Sequence, residues 1–397
     1  MRRTLPLRAY YVASFAVGGV YLPYFPQWLV GRGMGGLELG MISAAAPAMG
    51  VLAPTAFGVA ADALGLRRGL LQIACGGALL AFGSLSFALA RHLPLGFGGL
   101  LLAALAIALF RSPMTMIMDV VALERAPQVG TTYGRLRLWG SLGFLGAALA
   151  AGYGMDPRDA LAFPLVCTVA LGSTFLATLW LPSHAELPHR ADRRAIWQVL
   201  SQADYRHFLF VTLLGQIGHV AYDMGFSLHL ASLGVPRASI GLAWALGTGA
   251  EVLLMAASGP MLRQYPPAAV LAVGLAGAAF RWGLLAAIHS PLLLFLLQPL
   301  HAVSFGLVWL AQVTYASRRF PAQLLATAQG LFATAVGLGS ALGMVMWGAV
   351  YQRAGSAFMF AGAAFFAVCA SAFAVALDRR VRAPVESQSA TREVFKT

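Results

Sequence analysis

Apolar runs of roughly 20 residues, the length that carries a helix across a hydrocarbon core, recur along this entire chain. Twelve are read, near residues 8–30, 38–62, 69–90, 96–122, 136–154, 160–181, 206–232, 238–262, 267–289, 291–315, 325–351 and 355–377. With 59% hydrophobic residues against 10% charged, the chain has too little polar surface for a soluble domain. In lipid each backbone N–H and C=O must find its partner within the protein, so the runs are expected to be α-helices. The fold class is an all-α membrane protein of twelve transmembrane helices.

The gaps between runs are short except for residues 183–205, a charged linker that divides the chain. The expected units are a six-helix bundle over 1–182, the linker at 183–205, a second six-helix bundle over 206–378, and a tail at 379–397. Ile196, Trp197 and Leu200 fall on one helical face, which predicts a short surface helix at the end of the linker. The tail is polar, lacks apolar periodicity and is expected to be disordered. The first apolar run is long enough to span and is read as a helix that stays, with no cleavable signal peptide.

Basic residues collect in cytoplasmic loops. With the N-terminus inside, only Arg32, Arg91, Arg158, Arg237 and Arg353 fall on the outer side, while the great majority of the 27 Lys and Arg lie within. Both termini and the linker are therefore expected in the cytoplasm, with the protein in the cell (inner) membrane. This anchoring accounts for the net charge of +13, so nucleic acid is not an expected partner. Cys75, Cys167 and Cys369 are far apart within apolar runs, without metal-ligand spacing. They read as small core residues, and no metal or cofactor is expected.

Asp119, Arg137, Asp223, Glu251, Arg281 and His301 interrupt the apolar runs. A charge at mid-membrane costs roughly 2.5–3.5 kcal/mol on insertion scales. Such residues face water-filled cavities and pair with one another, which marks the path of a solute or a proton. His219 and Asp223 are four apart and share a helix face. Arg111 lies in the middle of the fourth run, where it either contacts a solute or balances Asp119. Tyr21, Tyr24 and Trp28 of the first run offer aromatic surface for packing or for an aromatic ligand.

Gly134, Gly143 and Gly152 of the fifth run recur as Gly330, Gly339 and Gly348 of the eleventh, each 196 residues later. Such a register is expected of two parallel six-helix repeats. Glycines at these places also let helices approach closely.

After the second run stands Gly58-x-x-x-Asp62-x-x-Gly65-x-Arg67-Arg68. This resembles the signature loop of the major facilitator superfamily, and the resemblance implies that Gly58, Asp62, Gly65, Arg67 and Arg68 form a conformational latch between the halves. The matching place in the second half, Gly259-Pro260-Met261-Leu262-Arg263, lacks the acid. Around Asp119 and Tyr133-Gly134-Arg135-Leu136-Arg137-Leu138-Trp139-Gly140 the chain is similar to the branch that holds the phenylpropionate permeases, the lactose permease and the nucleoside–proton symporters. Leu22-Pro23-Tyr24 and Trp28 extend that likeness. The resemblance implies that Asp119 and Arg137 grip the substrate together and that the first helix, with Tyr24 and Trp28, lines the cavity; Arg111 is outside the family pattern and is a candidate contact by its mid-helix position alone. It also implies that Glu251, Arg281 and His301 couple protons. The lactose permease has a second acid one turn beyond the histidine where this chain has Ser304, so the proton carrier is not copied across.

The residue chemistry agrees with such roles. Arginine offers a planar fork of donors to a carboxylate or to hydroxyls. A carboxylate against low-dielectric walls takes a proton near neutral pH and releases it when the cavity opens. Glu251 is the first choice of carrier, Asp223 the alternative, and His301 and His219 can share or relay the proton. The bland readings are a static Glu251–Arg281 ion pair and histidines that only tie helices together.

The functional expectation is a proton-coupled symporter for a small organic solute, with an aromatic carboxylate as the candidate the resemblance suggests, working by alternating access. Its partners are that solute, protons and the lipid bilayer. Sugars or nucleosides held through hydroxyls, a drug–proton antiporter, and a non-transporting membrane sensor are the alternatives. Neither metal cluster, nucleophile elbow nor phosphate loop supports an enzyme.

Overall fold

The computed structural model describes residues 4–64, 67–131, 133–156, 159–181, 193–320 and 322–382. Every regular element among them is helical. Six long helices come first: α1 (Leu5–Gly31), α2 (Gly36–Leu64), α3 (Arg67–Ala90), α4 (Phe97–Gln128), α5 (Tyr133–Gly154) and α6 (Ala162–Leu179). A short α7 (Arg193–Ser201) precedes α8 (Ala203–Ser232), α9 (Arg237–Ala257), α10 (Gly259–Gln264) and α11 (Pro267–Ala287). Then come α12 (Pro291–Leu296), α13 (Val308–Arg319) and α14 (Ala322–Arg382). Among the described residues eight stretches are long and apolar enough to cross a membrane by length and composition.

The expected linker helix is present as α7, with Val199 buried and Ile196 and Trp197 exposed. Residues 182–192 of the linker and the tail from 383 onward lie outside the described residues. The eleventh and twelfth predicted runs are continuous in α14 except at Gly355, whose φ of 78° and ψ of −176° break the helix. A positive φ is freely open to glycine and strained for other residues.

The tenth predicted run, 291–315, is not one regular helix. It passes from α12 through a 3-10 turn at Gln298–Leu300 and a π turn at Ala302–Leu307 into α13. Pro299 has no N–H to continue the ladder, and the side-chain amide of Gln298 donates to the Leu294 carbonyl at 2.6 Å. The irregular stretch brings His301 and Ser304 to one place, as π turns at functional sites do.

Helix α1 packs on α5 and α6, α2 on α4, and α3 on α4 and α6. In the later chain α14 packs on α8 and α11, while α9 and α11 flank the π turn. The main seams between these groups are α2 against α14 and α5 against α9, with a smaller contact of α1 on α8. Two of the three repeated glycine pairs sit at matching places in this plan, whereas Gly330 faces open space. A Cβ on Gly143 would collide with the Val12 carbonyl of α1, and one on Gly339 with the Leu213 carbonyl of α8. Gly152 lies against Arg237 and Ala238 of α9, and Gly348 against Gly36 and Gly40 of α2. Only a hydrogen in place of a side chain lets these backbones meet.

The seams also carry polar ties at one end of the bundle. The Leu37 N–H donates to Gln352 Oε1 at 2.9 Å. Arg237 pairs with Asp156 at 2.9 Å and donates to the Met155 carbonyl at 3.3 Å.

Candidate functional site

A cavity of about 440 Å³ opens between the two groups of helices. Arg111 of α4 and Arg137 of α5 line one side of it. His219 and Asp223 of α8, Glu251 of α9 and His301 line the other. Six of the titratable residues singled out from the sequence therefore meet here, although up to 190 positions separate them along the chain. The volume suits a small solute.

The acids and histidines are paired. His219 Nε2 lies 3.6 Å from Asp223 Oδ1, and His301 Nε2 lies 3.6 Å from Glu251 Oε2. Phe305, in the π turn, stacks on both rings, 4.8 Å from His219 and 5.3 Å from His301. The two acid–histidine pairs thus share an aromatic wall.

Arg281 stands behind this wall, fully buried and off the cavity surface. Its guanidinium donates to Gln298 Oε1 at 2.9 Å and Ser304 Oγ at 3.1 Å, and it meets His301 Nδ1 at 3.2 Å. The ring of Tyr222 lies 4.3 Å from it, and the Tyr222 hydroxyl donates to the same Gln298 oxygen at 3.1 Å. An arginine can only donate, so His301 Nδ1 accepts and the ring proton sits on Nε2, facing Glu251. The static Glu251–Arg281 ion pair weighed from the sequence is not formed, because Glu251 is engaged by His301 and Arg281 by neutral acceptors.

Asp119 is not part of the cavity lining. Its Oδ1 accepts the Tyr11 hydroxyl at 2.7 Å, a bond from α1 to α4. Arg137 lies with its guanidinium 3.8 Å from the centre of the Phe15 ring. Asp119 and Arg137 form no direct ion pair; they lie within electrostatic reach of each other, and Tyr133 of α5 hydrogen-bonds to both. Arg111 lies over the Tyr21 ring at 5.1 Å and lines the cavity that Asp119 does not reach.

Tyr24 and Trp28 are buried between helices. The Tyr24 hydroxyl donates to the Ala148 carbonyl at 3.0 Å and the Trp28 indole to the Ala160 carbonyl at 2.9 Å. Both tie α1 to its neighbours, and neither lines the cavity. Of the expected latch, Gly58 and Asp62 belong to the last turns of α2 and Arg67 opens α3. Gly65 and the side chains of Asp62 and Arg67 lie outside the described residues. Arg68 donates to the Leu179 carbonyl at 2.7 Å, binding α3 to the end of α6. Cys75 and Cys167 are free and buried, and Cys369 is free and partly buried.

Several lining residues went unread in the sequence: Phe15, Ser112, Thr115, Ser141, Gln216, Trp244 and Thr248. Their signal was helical spacing. Gln216, His219 and Asp223 stand at i, i+3 and i+7, as Trp244, Thr248 and Glu251 do at i, i+4 and i+7. Each triplet marks the wet face of one helix. Gln298, Ser304 and Tyr222, the partners of Arg281, gave no such signal because a broken helix carries two of them.

A probable 3-phenylpropionic acid transporter of Escherichia coli (strain K12) is 27% identical over 352 residues, spanning 87% of this chain and 90% of the relative. A maltose permease of Geobacillus stearothermophilus is 27% identical over 340 residues, spanning 85% and 84%. The crystal structure of the nucleoside transporter NupG shares the fold, with a TM-score of 0.80 at 16% identity over 97% of this chain and 100% of its own. The family described as MFS_1-like matches residues 4–362. With a helical membrane body built around one charged cavity, the chain belongs to the MFS_1-like family of major facilitator transporters and is an integral membrane secondary transporter.

Proposed function

We propose that the protein is a proton-coupled symporter that imports a small organic solute by alternating access. The observation that carries this reading is the division of charge across the cavity. Arg111 and Arg137 stand on one side, and the His219–Asp223 and His301–Glu251 pairs on the other. The arginines suit an anionic or hydroxyl-rich solute, and the acid–histidine pairs suit protons. Loading a proton on Glu251 or Asp223 leaves the cavity with excess positive charge, which an organic anion would neutralise. An aromatic carboxylate fits this balance and agrees with the name of the Escherichia coli relative. A sugar or nucleoside is the second reading, favoured by the names of the maltose and nucleoside transporters.

In this proposal twelve spans form two six-helix halves, residues 1–182 and 206–378, with both termini in the cytoplasm of a cell whose inner membrane holds the protein. The halves rock about the cavity. Arg137 and Arg111 bind solute, with Asp119 and Tyr11 bracing the α4 wall. Glu251 carries the proton, and Arg281 orients His301 toward it. The loop from Gly58 to Arg68 latches the halves.

Proteoliposomes test the coupling. Adding a transported solute outside should raise the external pH as protons enter with it, and an uncoupler should abolish the rise. Solute uptake without a pH change, or with external acidification, would overturn symport.

A further inference from the structure

Arg111 stands at the junction of two cavities. It lines the central one and also a second cavity of about 180 Å³, and Leu22, Ala46 and Asp223 border both. Among the described residues no hydrogen bond or ion pair engages its guanidinium, whose described contact is the Tyr21 ring. Asp223, which borders the same space, faces His219 at 3.6 Å. An arginine keeps its charge under any physiological condition, and an uncompensated cation within the membrane is costly. The group is thus matched to an anion supplied from outside the chain. In the sequence its role was open between solute contact and balance for Asp119; the geometry removes the second option.

The second cavity supplies the other half of the ligand. Its walls are largely apolar, with Tyr21 stacked on Phe25 at 4.3 Å on one side and Val220, Met224 and Met344 on the other. An apolar cavity of about 150 Å³ accommodates a benzene ring, so a space of about 180 Å³ takes one ring or a comparable branched alkyl group. Methionine walls adapt their shape to the occupant.

We propose that Arg111 anchors the carboxylate of a monoanionic substrate whose apolar body occupies this side cavity, so that Arg111 and the cavity together set solute specificity. This rests on the reading of the central cavity as the transport site and narrows its substrate class. Arg111 takes the solute charge, and Arg137, within electrostatic reach of Glu251, adds a second donor to the solute from α5.

The test uses the full-length protein in detergent, titrated with benzoate, phenylacetate and 3-phenylpropanoate and with the neutral amide of each. The acids should bind and stabilise the protein against heat, with the amides at least tenfold weaker. Arg111→Gln should lower acid affinity at least tenfold and leave the amides unchanged, and Arg111→Lys should fall between. Ser43→Leu reduces the side cavity at a residue whose hydroxyl has no hydrogen-bond partner. It should weaken 3-phenylpropanoate more than benzoate. The proposal is overturned if none of the acids binds, if amides bind as tightly as acids, or if a folded Arg111→Gln protein keeps wild-type affinity. Should Arg111→Gln fail to fold, the acid-to-amide ratio of the wild type and the Arg111→Lys series decide. Acids that bind through Arg111 but enter liposomes without protons would overturn the coupling and leave this assignment standing. A neutral solute that drives proton entry while no acid binds would do the reverse.

Discussion

His301 turns one ring nitrogen to Glu251, 3.6 Å away, while its other nitrogen accepts from the fully buried Arg281 at 3.2 Å. The geometry fixes which nitrogen bears the proton, and it aims that proton at the acid on the cavity wall. Phe305 stacks on the face of the same ring at 5.3 Å.

Glu251→Gln is expected to stop gradient-driven accumulation yet keep substrate binding and substrate-for-substrate exchange. Glutamine mimics the protonated acid, so the loaded carrier still alternates, whereas the empty return that needs a free carboxylate is lost. Counterflow and gradient-driven uptake in the same liposomes separate the two. Accumulation at the wild-type rate would move the proton to Asp223.

Arg281→Met should destabilise the protein, because it leaves Ser304 Oγ and His301 Nδ1 without their donor in the interior and Gln298 Oε1 with the Tyr222 hydroxyl alone. Each buried acceptor left without a donor costs about 1–3 kcal/mol. The loss should appear as a lower unfolding temperature in a detergent in which the wild type is stable. A variant as stable as the wild type would show that the cluster does not hold the broken helix in place.

Arg137→Ala is expected to weaken solute affinity by about tenfold to a hundredfold, the equivalent of one charge-assisted hydrogen bond of about 1.5–3 kcal/mol. Asp119→Asn keeps an acceptor for Tyr11 and should have a smaller effect, since Asp119 stands outside the cavity. Titration of an identified substrate into both purified variants measures the order. Equal, complete loss of binding in both would restore a direct role to Asp119.

Gly348→Leu should force open the seam where α14 meets α2, because a side chain there collides with Gly36 and Gly40. A cysteine placed at Ser340, which borders the side cavity, should become more reactive toward an impermeant maleimide added from the side of Gln352. Unchanged labelling in a folded variant would show that the seam yields without opening.

Asp62→Asn should shift the balance of inward- and outward-open states while leaving solute affinity unchanged. Asp62 belongs to the end of α2 opposite the Leu37–Gln352 tie. Cysteine accessibility on the two faces reads the shift, and an identical labelling ratio would reduce the loop to an ordinary turn.

The apolar runs by themselves determined that the chain is helical and lives in lipid, because backbone groups there have no other partners. They also located the linker helix and placed the charged residues in the membrane. The spacing of the glycines foretold that α5 and α14 do the same packing work, since close approach requires a hydrogen at fixed positions. What the tertiary structure alone decided is which charges share a space. Asp119 and Arg111 lie on one helix, yet only Arg111 reaches the cavity, because the rotation of α4 is set by its packing against α2 and α3. Tyr24 and Trp28 spend their polar atoms on neighbouring carbonyls, a choice no local pattern encodes. Pro299 could be read as a helix breaker. That the break gathers His301, Ser304 and Gln298 around Arg281 depends on α11 lying beside it, a contact between segments distant in sequence that only the folded bundle creates.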